Sequence, residues 1–288
     1  MKSQKELIEK GDWDTLILLD ACRFDSFKNI YKNYFSDGNL RKVRSEGSST
    51  GEWLYKTFPR KYDFTYLSTN PYINSYGIPL SKCNPDYKYD WNAVDHFTDI
   101  IDVWDERWND DLETVLPKDV NEIYIKRDIE GRTLIHYMQP HLPYLSLGNF
   151  GSFDVMKTRA RDEEESTENL KEALDKVLVI FEEKFEKIIG THRMWELKKM
   201  YNLRARSGYE RTWRAAGSVR GLKKYYMANL NIVLKNVIDL IGNLDGKIVI
   251  TSDHGEAFGE NGIWFHELER DEPILIEVPW FELDLDKY

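Results

Sequence analysis

The chain has 288 residues and a formal net charge of −10, with 50 acidic and 40 basic side chains. This acidic balance argues against a general nucleic-acid-binding protein, which would show a basic patch, so we expect no nucleic-acid partner. Apolar residues make up 41% of the chain, enough for a sizeable core, and the mean hydropathy is −0.59. The length allows one large α/β domain or two smaller ones.

The cysteines and the first residues bear on the compartment. Cys22 and Cys83 form at most one pair, which is not a disulfide framework and favours a reducing environment. The segment from Met1 to Glu6 is polar and lacks the apolar stretch of a signal peptide. No apolar run approaches the roughly 18 residues of a membrane span. We therefore expect a cytoplasmic protein without a membrane span.

Short apolar segments predict the strands of a buried sheet. They are Thr15–Leu19, Phe64–Leu67, Thr133–Met138 and Lys247–Thr251. A fifth strand is expected near Ile274–Val278. Apolar residues in steps of three and four predict a helix from Glu168 to Gly190 and another from Met227 to Gly242. Alternating strands and helices indicate a mostly parallel sheet covered by helices.

The segment from about 145 to 220 is richer in Arg, Glu and Lys than the rest of the chain. We interpret it as a helical insertion over the sheet within a single domain spanning residues 1–288. An ordinary set of solvated surface helices is the alternative.

Two predicted strands run into residues that can bind a metal. The strand Thr15–Leu19 is followed by Asp20, and the strand Lys247–Thr251 continues into Asp253-His254-Gly255. Sites in open α/β sheets lie just outside the carboxyl ends of the strands, so these side chains can share one cation. Gly255 permits a sharp turn after the pair. At each strand end, the alternative is a cap of the following helix.

Three further groups are candidates for binding or attacking an anion. His141 lies between Pro140 and Pro143, which restrict its loop and help to fix the imidazole. Ser49 and Thr50 precede a predicted helix, where backbone N–H groups favour anions and a metal could turn a hydroxyl into a nucleophile. The alternatives are a structural histidine and a plain helix cap.

Taken in order, these segments resemble the alkaline phosphatase and sulfatase superfamily. In that family an early strand ends in a metal-binding acid, a nucleophile follows at a helix N-terminus, and a late strand ends in Asp-His-Gly. Asp20, Ser49 and the pair Asp253-His254 fall in those places. The surroundings of His141 are also similar to sulfatases.

The resemblance implies roles for two more residues. His266 lies where the family often carries a basic residue that contacts the ester oxygen. Arg23, close after Asp20, is a further candidate to reach the anion, with a surface salt bridge as the alternative. His141 and His266 are thus expected to bind the substrate or protonate its leaving group.

The resemblance also implies the fold and the metal. It predicts an alkaline-phosphatase-like three-layer α/β fold and one divalent ion bound by Asp20, Ser49, Asp253 and His254. Mn, Zn, Ca and Mg are all candidates, although mixed oxygen and nitrogen ligands lean away from Mg and Ca. The Asp-x-x-x-His pattern of the two-zinc branches is not found, so one metal is expected.

The nucleophile segment departs from the sulfatases. Ser49 to Trp53 lacks the Pro and Arg of the motif that makes formylglycine. An unmodified hydroxyl favours phosphoryl over sulfuryl transfer. Ser49 is the preferred nucleophile, and Thr50 is the rival because lipoteichoic acid synthase domains use a Thr.

The predicted function is metal-dependent hydrolysis or transfer of phosphate esters, with a small anionic ester as substrate. In-line attack by the Ser49 hydroxyl would start the reaction. A sulfate-ester hydrolase and a catalytically inactive binding protein on the same fold are the alternatives.

Overall fold

The computed structural model describes residues 1–127, 129–148, 182, 185, 186 and 188–287. Its strands are β1 (Lys2–Ser3), β2 (Thr15–Leu19), β3 (Asn39–Arg44), β4 (Tyr62–Ser68), β5 (Phe97–Asp102), β6 (Trp108–Asn109), β7 (Thr114–Val115), β8 (Thr133–Tyr137), β9 (Lys247–Thr251), β10 (Ala257–Phe258), β11 (Trp264–Phe265) and β12 (Glu277–Asp284).

The α-helices of the described residues are α1 (Gln4–Lys10), α2 (Phe24–Ile30), α3 (Thr50–Thr57), α4 (Leu80–Cys83), α5 (Val103–Glu106), α6 (Pro117–Lys126), α7 (Thr191–Met200), α8 (Gly208–Ala216), α9 (Val219–Ile241) and α10 (Pro273–Ile276). Short 3₁₀ helices cover Tyr31–Asn33, Ala93–Asp95, Glu260–Gly262 and Leu285–Lys287. In the part of the chain that is described, no helix has the length and apolarity that crossing a membrane requires.

Eight strands form one sheet in the order β1-β3-β12-β9-β2-β8-β4-β5. The five strands from β9 to β5 are parallel to one another. Strand β12 is antiparallel to both of its neighbours, β3 and β9. Every residue of β2 and β8 is buried, as expected of central parallel strands covered on both faces. The predicted mostly parallel central sheet is therefore confirmed.

The register of the central strands brings their carboxyl ends together. Leu18 of β2 pairs with His136 of β8 and with Thr251 of β9. The residues that follow these strands consequently meet at one edge of the sheet, where an open α/β sheet places its ligands.

Four predicted strands match β2, β4, β8 and β9 closely. The fifth was placed too early, because Pro273–Ile276 forms the helical turn α10 and β12 begins at Glu277. Proline at the first position of a helix needs no N–H partner and has a suitable φ, which favours the turn.

Of the two helices predicted from the sequence, one is found with an earlier start and the other lies almost wholly outside the described residues. The helix expected from Met227 begins earlier, at Val219, where Ser218 caps it by accepting a hydrogen bond from Gly221 N at 3.1 Å. The helix expected between Glu168 and Gly190 lies almost entirely outside the described residues. Helices α7 and α8 fall within the segment interpreted as an insertion, whose boundaries stay a prediction.

Candidate metal and anion site

A strained turn after β2 links two strand ends. Ala21 has a φ of 57°, in the left-handed region that residues other than glycine rarely adopt. Its N–H donates to Asp253 Oδ1 at 3.1 Å, and its carbonyl accepts from the Tyr226 hydroxyl at 2.8 Å. The turn therefore joins the residue after Asp20 to the carboxylate at the end of β9. Strain held in this way by surrounding contacts is common at functional sites.

The turn after β9 presents Asp253 and His254. Asp253 Oδ1 also accepts from His254 N at 2.9 Å, while His254 Nδ1 lies 2.8 Å from the carbonyl oxygen of Gly255. A carbonyl can only accept, so Nδ1 carries the proton and Nε2 is left to bind a ligand. Gly255 is required here because a Cβ would lie 2.1 Å from the carbonyl oxygen of Ile274.

The two candidate nucleophiles differ in their contacts. Thr50, the first residue of α3, donates from Oγ1 to Asp253 Oδ2 at 2.8 Å and lies 3.3 Å from His254 Nε2. Ser49 is the N-cap residue of α3, but its side chain makes no capping hydrogen bond. Among the described hydrogen bonds, none joins Ser49 to the predicted metal ligands. Thr50 is thus the hydroxyl that contacts them.

Asp20 is held through one oxygen only. Its Oδ2 lies 3.3 Å from His136 Nε2 and 3.4 Å from Asn70 Nδ2. Its Oδ1 lies 3.7 Å from His254 Nε2 and accepts no hydrogen bond from the described residues. Burial would raise the pKa of Asp20, but interactions with the neighbouring imidazoles of His141, His136 and His254 outweigh burial and lower it. An ionised, buried oxygen without a donor is costly unless a cation satisfies it.

Four donor atoms therefore converge at the carboxyl ends of β2 and β9: Asp20 Oδ1, Thr50 Oγ1, Asp253 Oδ2 and His254 Nε2. Thr50 Oγ1 lies 2.8 Å from Asp253 Oδ2, and His254 Nε2 lies 3.3 Å from Thr50 Oγ1, 3.3 Å from Asp253 Oδ2 and 3.7 Å from Asp20 Oδ1. Tetrahedral ligands about 2.0–2.2 Å from a zinc ion would be roughly 3.3–3.6 Å apart. Ligand atoms of Asp20, His136 and Asp253 also lie within 4.8 Å of one another. The donor set and the unsatisfied oxygen fit a divalent cation.

A second cluster borders the first. Ligand atoms of His141, Glu256 and His266 lie within 4.8 Å of one another, and His266 Nδ1 is 3.2 Å from Glu256 Oε1. The His266 ring centroid lies 4.9 Å from that of His141 and 4.5 Å from that of His254. The structure thus brings both predicted anion-binding histidines next to the predicted metal ligands.

Burial controls the charge of this second cluster. It lowers the pKa of His141, and together with the charge of His254 it lowers the pKa of His266 to about 3. Burial also raises the pKa of Glu256 to about 7. Both imidazoles are therefore neutral at neutral pH, and Glu256 is partly protonated.

The loop that carries His141 is fixed by distant residues. Its backbone N–H donates to the carbonyl oxygen of Asp20 at 3.1 Å. The buried side chain of Asn229, on α9, donates to the carbonyl oxygens of His141 and Pro143 at 3.1 and 3.0 Å. Its Oδ1 accepts from Leu145 N at 2.8 Å. Helix α9 therefore holds the loop against the sheet.

Arg23 is buried and heavily engaged. Its guanidinium contacts Asp25 at 2.8 Å and both the side chain of Glu260 and the carbonyl oxygen of Glu256 at 3.0 Å. These bonds tie the segment after Asp20 to the segment before His266. The predicted contact of Arg23 with a substrate anion stays a prediction.

Sequence reasoning gave no role to four residues of the site: Asn70, His136, Asn229 and Glu256. Two of them carried a usable signal, because His136 interrupts an apolar strand and Asn229 lies on the apolar face of α9. Buried polar residues of this kind are held for a reason. Asn70 and Glu256 stand in polar loops, where composition gives no such signal.

No family model matches the chain, and no curated protein matches it in sequence. Solved structures do match. The integral membrane protein lipooligosaccharide phosphoethanolamine transferase A from Neisseria meningitidis has a TM-score of 0.52 at 13% identity over 95% of this chain and 48% of that chain. Its soluble domain has a TM-score of 0.50 at 12% identity, over 94% of this chain and 77% of that one.

Phosphonate monoester hydrolase of Agrobacterium radiobacter has a TM-score of 0.52 at 13% identity, over 94% of this chain and 68% of that chain. The present chain spans about half the length of the full-length transferase. At these sequence identities the comparison shows a shared fold and nothing further. The chain has the alkaline-phosphatase-like α/β fold, as the sequence resemblance predicted.

Proposed function

We propose that this protein is a metal-dependent enzyme that transfers or hydrolyses phosphate esters, with Thr50 as its nucleophile. The observation that carries the proposal is the position of Thr50 Oγ1, 2.8 Å from Asp253 Oδ2 and 3.3 Å from His254 Nε2. Proteins of similar fold named as a phosphoethanolamine transferase and a phosphonate monoester hydrolase support chemistry at phosphorus. The proposal replaces Ser49, the nucleophile preferred from the sequence, with its neighbour.

One divalent cation would be held by Asp20, Asp253 and His254, with Thr50 as a further ligand. His136 and Asn70 then act on Asp20 Oδ2 and leave Oδ1 for the cation, an outer-shell arrangement common in metal sites. A cation bound there would lower the pKa of the hydroxyl and offset charge on a substrate oxygen. Carboxylate and imidazole donors favour Mn or Zn over Mg or Ca.

Thr50 is oriented for attack by its place in the fold. It opens α3, and the N–H groups of a helix's first turn have no partner within the helix and favour an anionic group. One of them, the Gly51 N–H, donates to the Tyr87 hydroxyl at 3.2 Å. Binding of the hydroxyl to the cation would favour its ionised form, with the proton released to solvent, because Asp253 Oδ2 would itself be engaged by the cation. A bond forms between Oγ1 and phosphorus as the bond to the departing alcohol breaks. Water or an acceptor alcohol then releases the phosphoryl group from Thr50.

The leaving group requires a proton, and the histidine cluster is placed to supply it. His266 contacts Glu256, whose pKa of about 7 lets it hold a proton near neutral pH. The His141 ring centroid lies 4.9 Å from that of His266, so both imidazoles can contact the same anion. This proximity supports roles for the two histidines as anion contacts and general acid. The single-metal stoichiometry and the cytoplasmic location remain predictions.

Turnover of three chromogenic esters by the metal-loaded protein tests the proposal: 4-nitrophenyl phosphate, bis(4-nitrophenyl) phosphate and 4-nitrophenyl sulfate. We expect hydrolysis of a phosphate ester that stops with a chelator and returns with Mn²⁺ or Zn²⁺. Turnover of the sulfate alone would select the sulfatase alternative. Absence of turnover with all three esters would favour an inactive binding protein.

A further inference from the structure

Helix α8 brings a tyrosine to the histidine side of the site. The Tyr209 hydroxyl lies 3.4 Å from His266 Nε2, and its ring stacks on Phe265 with centroids 4.4 Å apart and planes 19° apart. Tyr209 comes from the charged segment that sequence analysis treated as an insertion. This segment therefore reaches the proposed catalytic centre.

The position of Tyr209 is fixed by contacts on both sides. Ser207 caps α8 by accepting from Glu210 N at 3.0 Å. The Glu210 carboxylate pairs with the buried ammonium of Lys198 at 2.8 Å, which ties α8 to α7. A half-buried side chain anchored in this way keeps its hydroxyl in place with little loss of side-chain entropy on binding a ligand.

The same contacts shape the backbone before His266. Phe265 has a φ of 59°, in the left-handed region, although it is not glycine. Its ring is packed between Trp195, with centroids 6.2 Å apart, and Tyr209. The aromatic packing holds a strained residue whose conformation directs His266 toward His254. One cluster thus positions both His266 and Tyr209.

Tyr209 is a neutral donor at neutral pH. Burial raises its pKa, and the nearby carboxylates of Glu256 and Asp20 raise it further. When Glu256 is ionised it accepts from His266 Nδ1, and His266 Nε2 then accepts from the Tyr209 hydroxyl. A phosphoryl oxygen is a stronger acceptor than a neutral imidazole, because it is charged.

We propose that Tyr209 is a substrate-binding residue whose hydroxyl donates a hydrogen bond to a non-bridging oxygen of a phosphoryl group held beside His266 and Thr50. This rests on the proposed phosphoester chemistry. The charged segment that contains α7 and α8 is then part of the active site. When the anion binds, the Tyr209 hydroxyl gives up its hydrogen bond to His266 and donates to the phosphoryl oxygen instead.

Binding of inorganic phosphate to the metal-loaded protein, measured by calorimetry, tests the proposal without requiring turnover. Tyr209→Phe removes only the hydroxyl and should weaken phosphate binding by about 10-fold to 100-fold, the effect of losing one hydrogen bond to a charged group. Metal content should stay at the parent level. Tyr201→Phe, on an exposed tyrosine just after α7, is the matched control and should bind as the parent does.

Repeating the substitution in a His266→Ala background separates direct contact from positioning. A substrate contact predicts that Tyr209→Phe weakens phosphate binding again by a similar factor. If the second loss disappears, Tyr209 acts only through His266 and the proposal fails. Parent-level phosphate affinity in Tyr209→Phe itself overturns it as well.

The outcomes also separate this proposal from the proposed function. A parent protein that binds phosphate but hydrolyses no ester contradicts the enzymatic function, while a weaker Tyr209→Phe would still support the contact. A parent protein that hydrolyses a phosphate ester but binds no inorganic phosphate overturns the Tyr209 contact and leaves the proposed function standing.

Discussion

The two sides of the site are built in different ways. On the metal side, Asp20 and Asp253 follow adjacent strands of the central sheet, so the strand register places them. On the anion side, His141 and His266 lie on loops that need Asn229 and the aromatic residues around Phe265 to hold them. The metal side is carried by the core of the fold, and the anion side depends on helices α7 to α9.

The difference extends to charge and to the expected effects of substitution. Asp20 is ionised, with its pKa lowered, whereas His141 and His266 have lowered pKa values and are neutral. Changes on the metal side should therefore remove the cation. Changes on the anion side should reduce turnover while the cation stays bound.

The largest effect is expected at the nucleophile, where the two sides meet. Thr50→Ala should reduce phosphoester turnover by about 10³-fold or more, since the attacking oxygen is lost. Ser49→Ala keeps that oxygen and should stay within about 10-fold of the parent. Steady-state kinetics of both variants provide the measurement. Activity that survives in Thr50→Ala and is lost in Ser49→Ala would return the role to Ser49.

The next effect isolates the anion side. His141→Ala and His266→Ala should each lower turnover by about 10²–10⁴-fold, the usual contribution of a general acid or base. Their metal content should equal that of the parent. His96→Ala, a histidine outside both clusters, serves as the control. Loss of metal in either variant would show that this histidine binds the cation, and would contradict the division into a metal side and an anion side.

The support of the anion side can be weakened from a distance. Asn229→Ala removes the donor to three carbonyl oxygens of the His141 loop, those of Pro140, His141 and Pro143, and should lower the free energy of unfolding by about 1–3 kcal/mol. Turnover should fall, with metal content unchanged. Asn236→Ala on the same helix is the matched control, because the Asn236 side chain donates to the carbonyl oxygen of Ile232, one turn earlier in α9. Equal stability and turnover in the two variants would remove Asn229 from the account.

These two sides also explain what the sequence could predict. The proximity of Asp20, Asp253 and His254 could be predicted because an apolar strand that ends in a polar residue has a nearly fixed place at the sheet edge. The choice between Ser49 and Thr50 depended on which residue begins α3, and helix ends cannot be read to a single residue from sequence. Tyr209 was missed because its contact with His266 spans 57 positions and depends on the packing of α8.

The smallest effect is expected at the salt bridge between Arg23 and Glu260, which links the metal side to the anion side. Burial would raise the pKa of Glu260, but the Phe258 N–H and Arg23 outweigh burial and lower it from 4.5 to about 2. A folded-state pKa below the ordinary value means that ionised Glu260 stabilises the fold above about pH 4.5. This stability is lost as the pH falls toward 2.

Glu260→Gln should therefore lose less stability between pH 5 and pH 2 than the parent, by on the order of 1 kcal/mol, because the carboxylate is partly exposed and screened. Denaturant unfolding across this pH range measures the difference. An identical pH dependence in both proteins would show that Glu260 and Arg23 do not couple the two sides.

The central claim is that a single cation is held by Asp20, Asp253 and His254. Elemental analysis of the purified, metal-loaded protein tests it most directly, with Asp239→Ala on the exposed face of α9 as the control. We expect about one divalent ion per chain in the parent and in the control, and almost none in Asp253→Ala. Metal content in Asp253→Ala equal to that of the parent would contradict the account.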